Sequence, residues 1–122
     1  MDADKKILIV DDDLRASSEI KEFLEIKGYK VFHVSDGSKV LENVKKVMPD
    51  LVVLDIIMPG VDGFTIAKQI LYDEQVKNIP IIISSSQEGM KELFAIEGMK
   101  DYLVKPVDKE QLLETIQKKL GQ

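Results

Sequence analysis

Short apolar runs alternate along the chain with longer stretches in which apolar residues recur at helical spacing. The runs are continuous rather than alternating, and most are rich in β-branched residues or leucine. They cover residues 7–10, 31–34, 51–54, 81–83 and 102–104. A continuous run of this length is typical of a strand that is buried on both faces of a sheet.

The stretches between the runs predict amphipathic helices. In the first stretch Ile20, Phe23 and Leu24 lie three and four positions apart, and the last stretch opens with a capping residue, Asp108, and stops at Gly121. Five strands alternating with five helices predict an α/β fold, in which right-handed crossovers cover both faces of a parallel sheet. Ligands of such sheets bind beyond the carboxyl ends of the strands, so the residues after each run are candidates for a site.

Composition narrows the class of protein. The chain has 122 residues, the size of one domain, and 44% of them are hydrophobic, so we expect a folded core. The formal net charge of −5 argues against direct binding of nucleic acid, because phosphates attract basic surfaces. The apolar runs are too short to span a membrane and the first residues contain no apolar leader segment, so we expect a cytoplasmic location.

Carboxylates follow two of the predicted strands: Asp11, Asp12 and Asp13 follow the first, and Asp55 follows the third. Two carboxylates 4 Å apart repel by roughly 4 kcal/mol at an effective dielectric near 20, a cost that a fold accepts where a cation occupies the site. We expect Asp13 to cap a helix. The chain has no cysteine, and we expect its single histidine, His33, to lie far from these acids. Only oxygen ligands then remain, which favours Mg²⁺ as the first choice of metal and Mn²⁺ as the second.

A hydroxyl group and an amine follow the last two strands. Ser84, Ser85 and Ser86 end the fourth run, and Lys105 and Pro106 end the fifth. A carboxylate beside Mg²⁺ can accept a phosphoryl group, whose oxygens then need a metal, a hydroxyl and a cationic amine around them. Each residue alone also fits a turn or a solvated position, but the full set in this order favours a phosphoryl-accepting site.

Four motifs at these strand ends resemble those of the receiver domains of two-component response regulators. They are residues 7–12, residues 50–60 with 62–63, residues 79–85 and residues 101–106. The resemblance extends from Lys5 to about Leu120. It implies the flavodoxin-like (βα)5 fold, a doubly wound five-stranded parallel sheet in the order 2-1-3-4-5. It also implies one receiver domain over residues 1–122, with no output domain in this chain.

The resemblance implies a role for each acid of the site. Asp55 corresponds to the phosphoacceptor and is also a metal ligand. Asp11 and Asp12 correspond to the acid pair that holds Mg²⁺, Asp12 directly and Asp11 through water. The main-chain carbonyl of Ile57 would be a further metal ligand.

Three other positions acquire roles from the same resemblance. Ser85, counted from Pro80, corresponds to the switch hydroxyl, with the serine on either side as an alternative. Lys105 corresponds to the charge partner of the phosphoryl group, and the bond between Lys105 and Pro106 is expected to be cis. Tyr102 corresponds to an aromatic residue that turns inward on activation.

The implied function is signalling rather than enzymatic turnover. A histidine kinase or phosphotransfer protein would phosphorylate Asp55 with Mg²⁺, and the chain would promote only its own phosphorylation and dephosphorylation. The surface of helix 4, strand 5 and helix 5 would then change and be read by a downstream protein or output domain. Residues 93–96 are apolar all round. This fits core packing with Ile96 as a single exposed apolar residue, or a contact with a partner, which could be a homodimer formed on activation.

Two other classes of protein share part of this pattern. Asp11 and Asp13 fit the D-x-D motif of haloacid-dehalogenase-like Mg²⁺-dependent phosphatases. That class expects threonine or valine where Arg15 stands, and an acid pair where Lys105 and Pro106 stand. A flavodoxin-like cofactor binder would need a phosphate-binding loop after the first strand, where the three aspartates would instead repel a phosphate.

Overall fold

The computed structural model describes residues 5–58 and 61–121, except for the side chains of Ile57, Val61 and Glu88. Within these ranges one parallel sheet has five strands in the order β2-β1-β3-β4-β5. The strands are β1 (Lys6–Val10), β2 (Lys30–Val34), β3 (Leu51–Asp55), β4 (Ile81–Ser85) and β5 (Tyr102–Val104). The predicted fold class and strand order are therefore confirmed.

A helix follows each strand. The helices are α1 (Leu14–Ile26), α2 (Val40–Val47), α3 (Gly63–Leu71), α4 (Lys91–Ile96) and α5 (Lys109–Leu120). Asp13 caps α1 by accepting from two main-chain N–H groups, and Asp108 caps α5 in the same way. Both caps were predicted. No helix in the described part of the chain combines the length and the apolar character needed to cross a bilayer.

The fourth helix is shorter than the sequence pattern predicts. The pattern extends from about residue 88 to residue 97, whereas α4 covers Lys91–Ile96 after a single 3₁₀ turn at Glu88–Met90. Met90, the residue before α4, makes no side-chain capping bond, and Gly89 within the 3₁₀ turn favours irregular backbone. The start of α4 therefore lacks the capping interaction that fixes the starts of α1 and α5.

The sheet separates two apolar layers. Leu8 and Ile83 belong to the layer covered by α2, α3 and α4, and Ile9 and Ile82 belong to the layer covered by α1 and α5. The apolar residues of β1 and β3 at positions 7–10 and 51–54 are at most 4% exposed. Burial on both faces explains why the sequence shows continuous apolar runs rather than alternation.

A short antiparallel ribbon follows β3 and carries the chain into α3. It pairs Ile57–Met58 with Val61–Asp62, and its intervening positions 59–60, part of the second motif, lie outside the described residues. Gly63 is buried against this segment, and a Cβ atom there would overlap the backbone of Ile56. The glycine thus allows a close approach that fixes the chain just beyond Asp55.

Candidate functional site

The carboxyl ends of β1 and β3 bring three acids together. The two strands are neighbours, with Val10 in register with Leu54, so Asp11 and Asp55 emerge side by side. One carboxylate oxygen from each of Asp11, Asp12 and Asp55 lies within 4.8 Å of the others. Asp11 is 4% exposed and Asp55 is 3% exposed, while Asp12 faces solvent. The predicted acid cluster is present.

Asp11 is held on all sides. Its Oδ1 accepts a hydrogen bond from the main-chain N–H of Asp13 at 2.8 Å, and its Oδ2 accepts one from Lys105 at 3.3 Å. Its own N–H donates to the carbonyl of Val34 at 3.1 Å. Because each polar group is engaged, the side chain of Asp11 has little freedom to turn away from Asp55.

His33 also supports Asp11, although it was expected to lie far from the site. Its Nε2 lies 2.8 Å from the main-chain carbonyl of Asp11, and since a carbonyl only accepts, this nitrogen carries the hydrogen. That expectation about His33 was wrong. The contact follows from the pairing of β1 with β2, in which Ile9 lies opposite His33. The sequence alone does not give this register.

Lys105 is the counterion of the two buried acids. Its Nζ lies 3.0 Å from Oδ2 of Asp55 and 3.3 Å from Oδ2 of Asp11. Burial alone would lower the pKa of Lys105, but hydrogen bonds and attraction from Asp55 and Asp11 outweigh it and raise the pKa above its ordinary value. The bond between Lys105 and Pro106 is cis, as the resemblance implies.

The donor set fits a hard divalent cation. The cluster contains three carboxylates, two buried and one exposed, and one ammonium group pairs with the buried two, so a negative excess remains. The described residues near these acids supply oxygen ligands, which suit Mg²⁺ or Mn²⁺. The carbonyl of Ile57 belongs to the ribbon two residues beyond Asp55, and its role as a ligand stays a prediction.

The two serines that end β4 point to opposite faces of the sheet. Ser85 is fully buried, and its Oγ accepts from the N–H of Gln87 at 2.9 Å. Ser84 is 4% exposed and lies in register with Asp55, whereas Ser86 is exposed. Thus two buried hydroxyl groups reach this edge of the sheet, on opposite faces.

Tyr102 is turned inward and joins the same loop as Ser85. Its side chain is 7% exposed, packs against Phe94, and donates its hydroxyl to the main-chain carbonyl of Gln87. Gln87 is therefore held at its N–H by Ser85 and at its carbonyl by Tyr102. Among the predicted site residues, Lys105 contacts Asp11 and Asp55, whereas Ser85 and Tyr102 hydrogen-bond the loop before α4.

Comparison with known proteins identifies the family. The family model for the response regulator receiver domain matches residues 7–117. Protein PilH of Pseudomonas aeruginosa is 38% identical over 113 residues, which cover 91% of this chain and 93% of that protein. The solved structure of the chemotaxis response regulator CheY4 of Vibrio cholerae has a TM-score of 0.82 and 28% identity, and the match covers 94% of this chain and 98% of that one.

A longer relative shows that this unit also occurs as part of a larger protein. The DNA-binding dual master transcriptional regulator RpaA of Synechocystis is 34% identical over 113 residues, covering 91% of this chain but 47% of RpaA. The chain thus spans about half of that relative and almost all of PilH. The family match favours the receiver interpretation over the phosphatase alternative. The chain belongs to the response regulator receiver domain family.

Proposed function

We propose that this chain accepts a phosphoryl group on Asp55 from a histidine kinase or phosphotransfer protein, with Mg²⁺ bound at the acid cluster. The observation that carries this proposal is the convergence of Asp11, Asp12 and Asp55 within 4.8 Å of one another. Lys105 contacts two of the three. Membership of a family of signalling domains supports the same conclusion.

In this mechanism a carboxylate oxygen of Asp55 attacks the phosphorus of a phosphohistidine. The new P–O bond forms as the P–N bond breaks, and the electron pair leaves with the imidazole. Asp11, Asp12 and the Ile57 carbonyl would hold the metal, whose charge offsets that of the phosphoryl oxygens. Lys105, on its flexible stem, turns from the carboxylates to one of these oxygens.

Ser85 couples the phosphoryl group to the loop before α4. Its Oγ already accepts from the N–H of Gln87, which leaves the hydroxyl hydrogen free to bond a phosphoryl oxygen. A shift of Ser85 toward Asp55 would carry Gln87 with it. Because Tyr102 donates to the carbonyl of Gln87, the shift would reach β5 as well.

The surface formed by α4, β5 and α5 is the proposed output. Three apolar side chains are exposed on α4 and β5: Leu93 at 42%, Ile96 at 79% and Val104 at 42%. A downstream protein, an output domain or a second copy of the chain would read this surface when the loop before α4 repacks.

The test is phosphorylation by a small donor followed by intact mass. Incubation with acetyl phosphate and Mg²⁺ should add one phosphoryl group, and Asp55→Asn should remove the adduct. Asp101→Asn, a change at the opposite end of the sheet, serves as the matched control and should keep it. An unchanged mass for folded protein in Mg²⁺, or an adduct that persists in Asp55→Asn, would contradict the proposal.

A further inference from the structure

A cavity lies between α1, α5 and the sheet, on the face of the sheet opposite α3. Its volume is about 440 Å³, within the range of roughly 300–1,000 Å³ that is usual for small-molecule sites. Its walls are mostly apolar and include Ile9, Val53, Leu103 and Leu112. We call it the α1–α5 cavity.

Ser84 is the one uncharged polar residue in the described lining of this cavity. Ser84 lines the α1–α5 cavity and is 4% exposed. Within residues 5–58 and 61–121, its hydroxyl makes no hydrogen bond to the protein, and it is not sealed off from the cavity. Because the oxygen can be reached from the cavity, water or the polar group of a bound molecule can complete its hydrogen bonding.

The charged residues that line the cavity, three carboxylates and two ammonium groups, nearly balance. Lys105 is already paired with Asp11 there, and the carboxylate of Asp13 already accepts from two N–H groups of α1. Glu19 and Lys109, one from each helix, complete the charged lining. Such a lining gives little preference for either an anion or a cation, so the occupant that fits is neutral.

We propose that the α1–α5 cavity binds a small neutral amphiphile, a mostly apolar molecule whose single polar group pairs with the hydroxyl of Ser84. The apolar walls would desolvate the body of the molecule, and Ser84 would orient it. This binding does not depend on the proposed phosphoryl transfer, because it requires neither the metal nor a modified Asp55.

The probe for the test is 4-propylphenol, titrated into uniformly labelled protein and followed by amide chemical shifts. We expect saturable shifts at Ser84, Leu103 and Leu112. Ser84→Ala should weaken binding by roughly 3- to 10-fold, the value of one net hydrogen bond. Ser86→Ala, an exposed neighbour outside the cavity, is the matched control and should leave the affinity unchanged. The charged analogue 4-propylbenzoate should bind more weakly than the phenol.

Two variants that fill the cavity are used, so that the test remains possible if one of them fails to fold. Ala16→Phe from α1 and Val107→Trp from the segment before α5 both add volume to the cavity lining, and either one, if folded, should abolish the shifts. The proposal is overturned if shifts do not saturate, if a folded blocking variant keeps them, or if Ser84→Ala binds as tightly as the parent. Phosphorylation by acetyl phosphate, measured separately, distinguishes this failure from failure of the proposed receiver function.

Discussion

The ammonium nitrogen of Lys105 lies 3.0 Å from Oδ2 of Asp55, although 50 positions separate the two residues in the chain. The contact exists because β3, β4 and β5 are parallel neighbours whose carboxyl ends meet at one edge of the sheet. The same nitrogen reaches Asp11. A change at Lys105 should therefore be felt by both buried carboxylates.

Lys105→Met should lower stability at pH 8 in the absence of Mg²⁺ by roughly 1–3 kcal/mol, because Asp11 and Asp55 lose their shared counterion. The pKa of Lys105 is raised in the folded state, so its contribution is complete below the unfolded pKa of about 10.5. It disappears as the pH rises through the higher folded value. Urea unfolding should therefore show a smaller difference in the free energy of unfolding between parent and variant above pH 11 than at pH 8.

The comparison must be made as a difference between parent and variant. Burial raises the pKa of Tyr29, and a hydrogen bond to Glu97 raises the pKa of Tyr72. The contribution of each tyrosine to the stability of the fold therefore also falls at alkaline pH. Lys100→Met, an exposed lysine before β5, is the control and should follow the parent. A difference in the free energy of unfolding between parent and Lys105→Met that stays constant with pH would contradict the assigned role of Lys105.

Mg²⁺ should stabilise the folded chain through the acid cluster. At a Mg²⁺ concentration ten times the dissociation constant the gain is about 1.4 kcal/mol, which corresponds to a rise in Tm of roughly 5 °C for a domain of this size. Asp12→Asn should abolish the rise, while Asp101→Asn at the other end of the sheet should retain it. Calorimetry with and without Mg²⁺ decides the question, and an equal rise in Asp12→Asn would refute the ligand assignment.

His33→Phe should weaken Mg²⁺ binding without unfolding the protein. The ring of phenylalanine preserves the packing but cannot donate to the carbonyl of Asp11, so the acid pair is less firmly placed. We expect a loss of about tenfold in affinity, measured by titration calorimetry. His33→Gln, which keeps a donor, should recover part of the loss. Equal affinities for all three proteins would show that His33 does not position Asp11.

Gly63→Ala should destabilise the chain by about 3 kcal/mol, since the added methyl group would overlap the backbone of Ile56. Gly89→Ala is the matched control, because a Cβ atom at Gly89 meets nothing within 4 Å. Urea unfolding should therefore separate the two variants clearly. Similar urea midpoints for the two variants would mean that the segment after Asp55 moves to accommodate the added methyl group.

Tyr102→Phe should loosen the loop before α4. The variant keeps the aromatic packing on Phe94 but loses the hydroxyl that holds the carbonyl of Gln87. Hydrogen exchange at the N–H of Gln87 should become faster. Tyr72→Phe, which removes an exposed hydroxyl bond to Glu97, should leave that exchange rate as it is; an increase in both variants would contradict the specific role of Tyr102.

The sequence predicts most of this fold because the central strands are buried on both faces and so carry an unmistakable apolar pattern. It also predicts the acid cluster, because carboxylates directly after parallel strands lie at the same edge of the sheet. The strand order came from the family resemblance rather than from hydrophobic pattern. The ribbon after β3 escaped prediction because two-residue strands have no period to detect.

Other parts of the site depend on register, which sequence pattern alone does not reveal. His33 reaches the carbonyl of Asp11 only because β1 and β2 pair as they do. Likewise, Ser84 and Ser85 look equivalent in sequence, but the pleat of β4 sends them to opposite faces. Only Ser85 then bonds the loop before α4, while Ser84 faces the cavity beneath α1 and α5.

The two-sided burial of β1 and β3 also governs how this molecule tolerates change. At Val10 and Leu54 a substitution must be accommodated within a packed layer, whereas Asp12, two positions beyond Val10, faces solvent. A complete substitution library scored for folding should therefore show a sharp step between these neighbouring positions. The exposed acid of the site can therefore be exchanged without loss of folding, while the strand that carries it stays fixed.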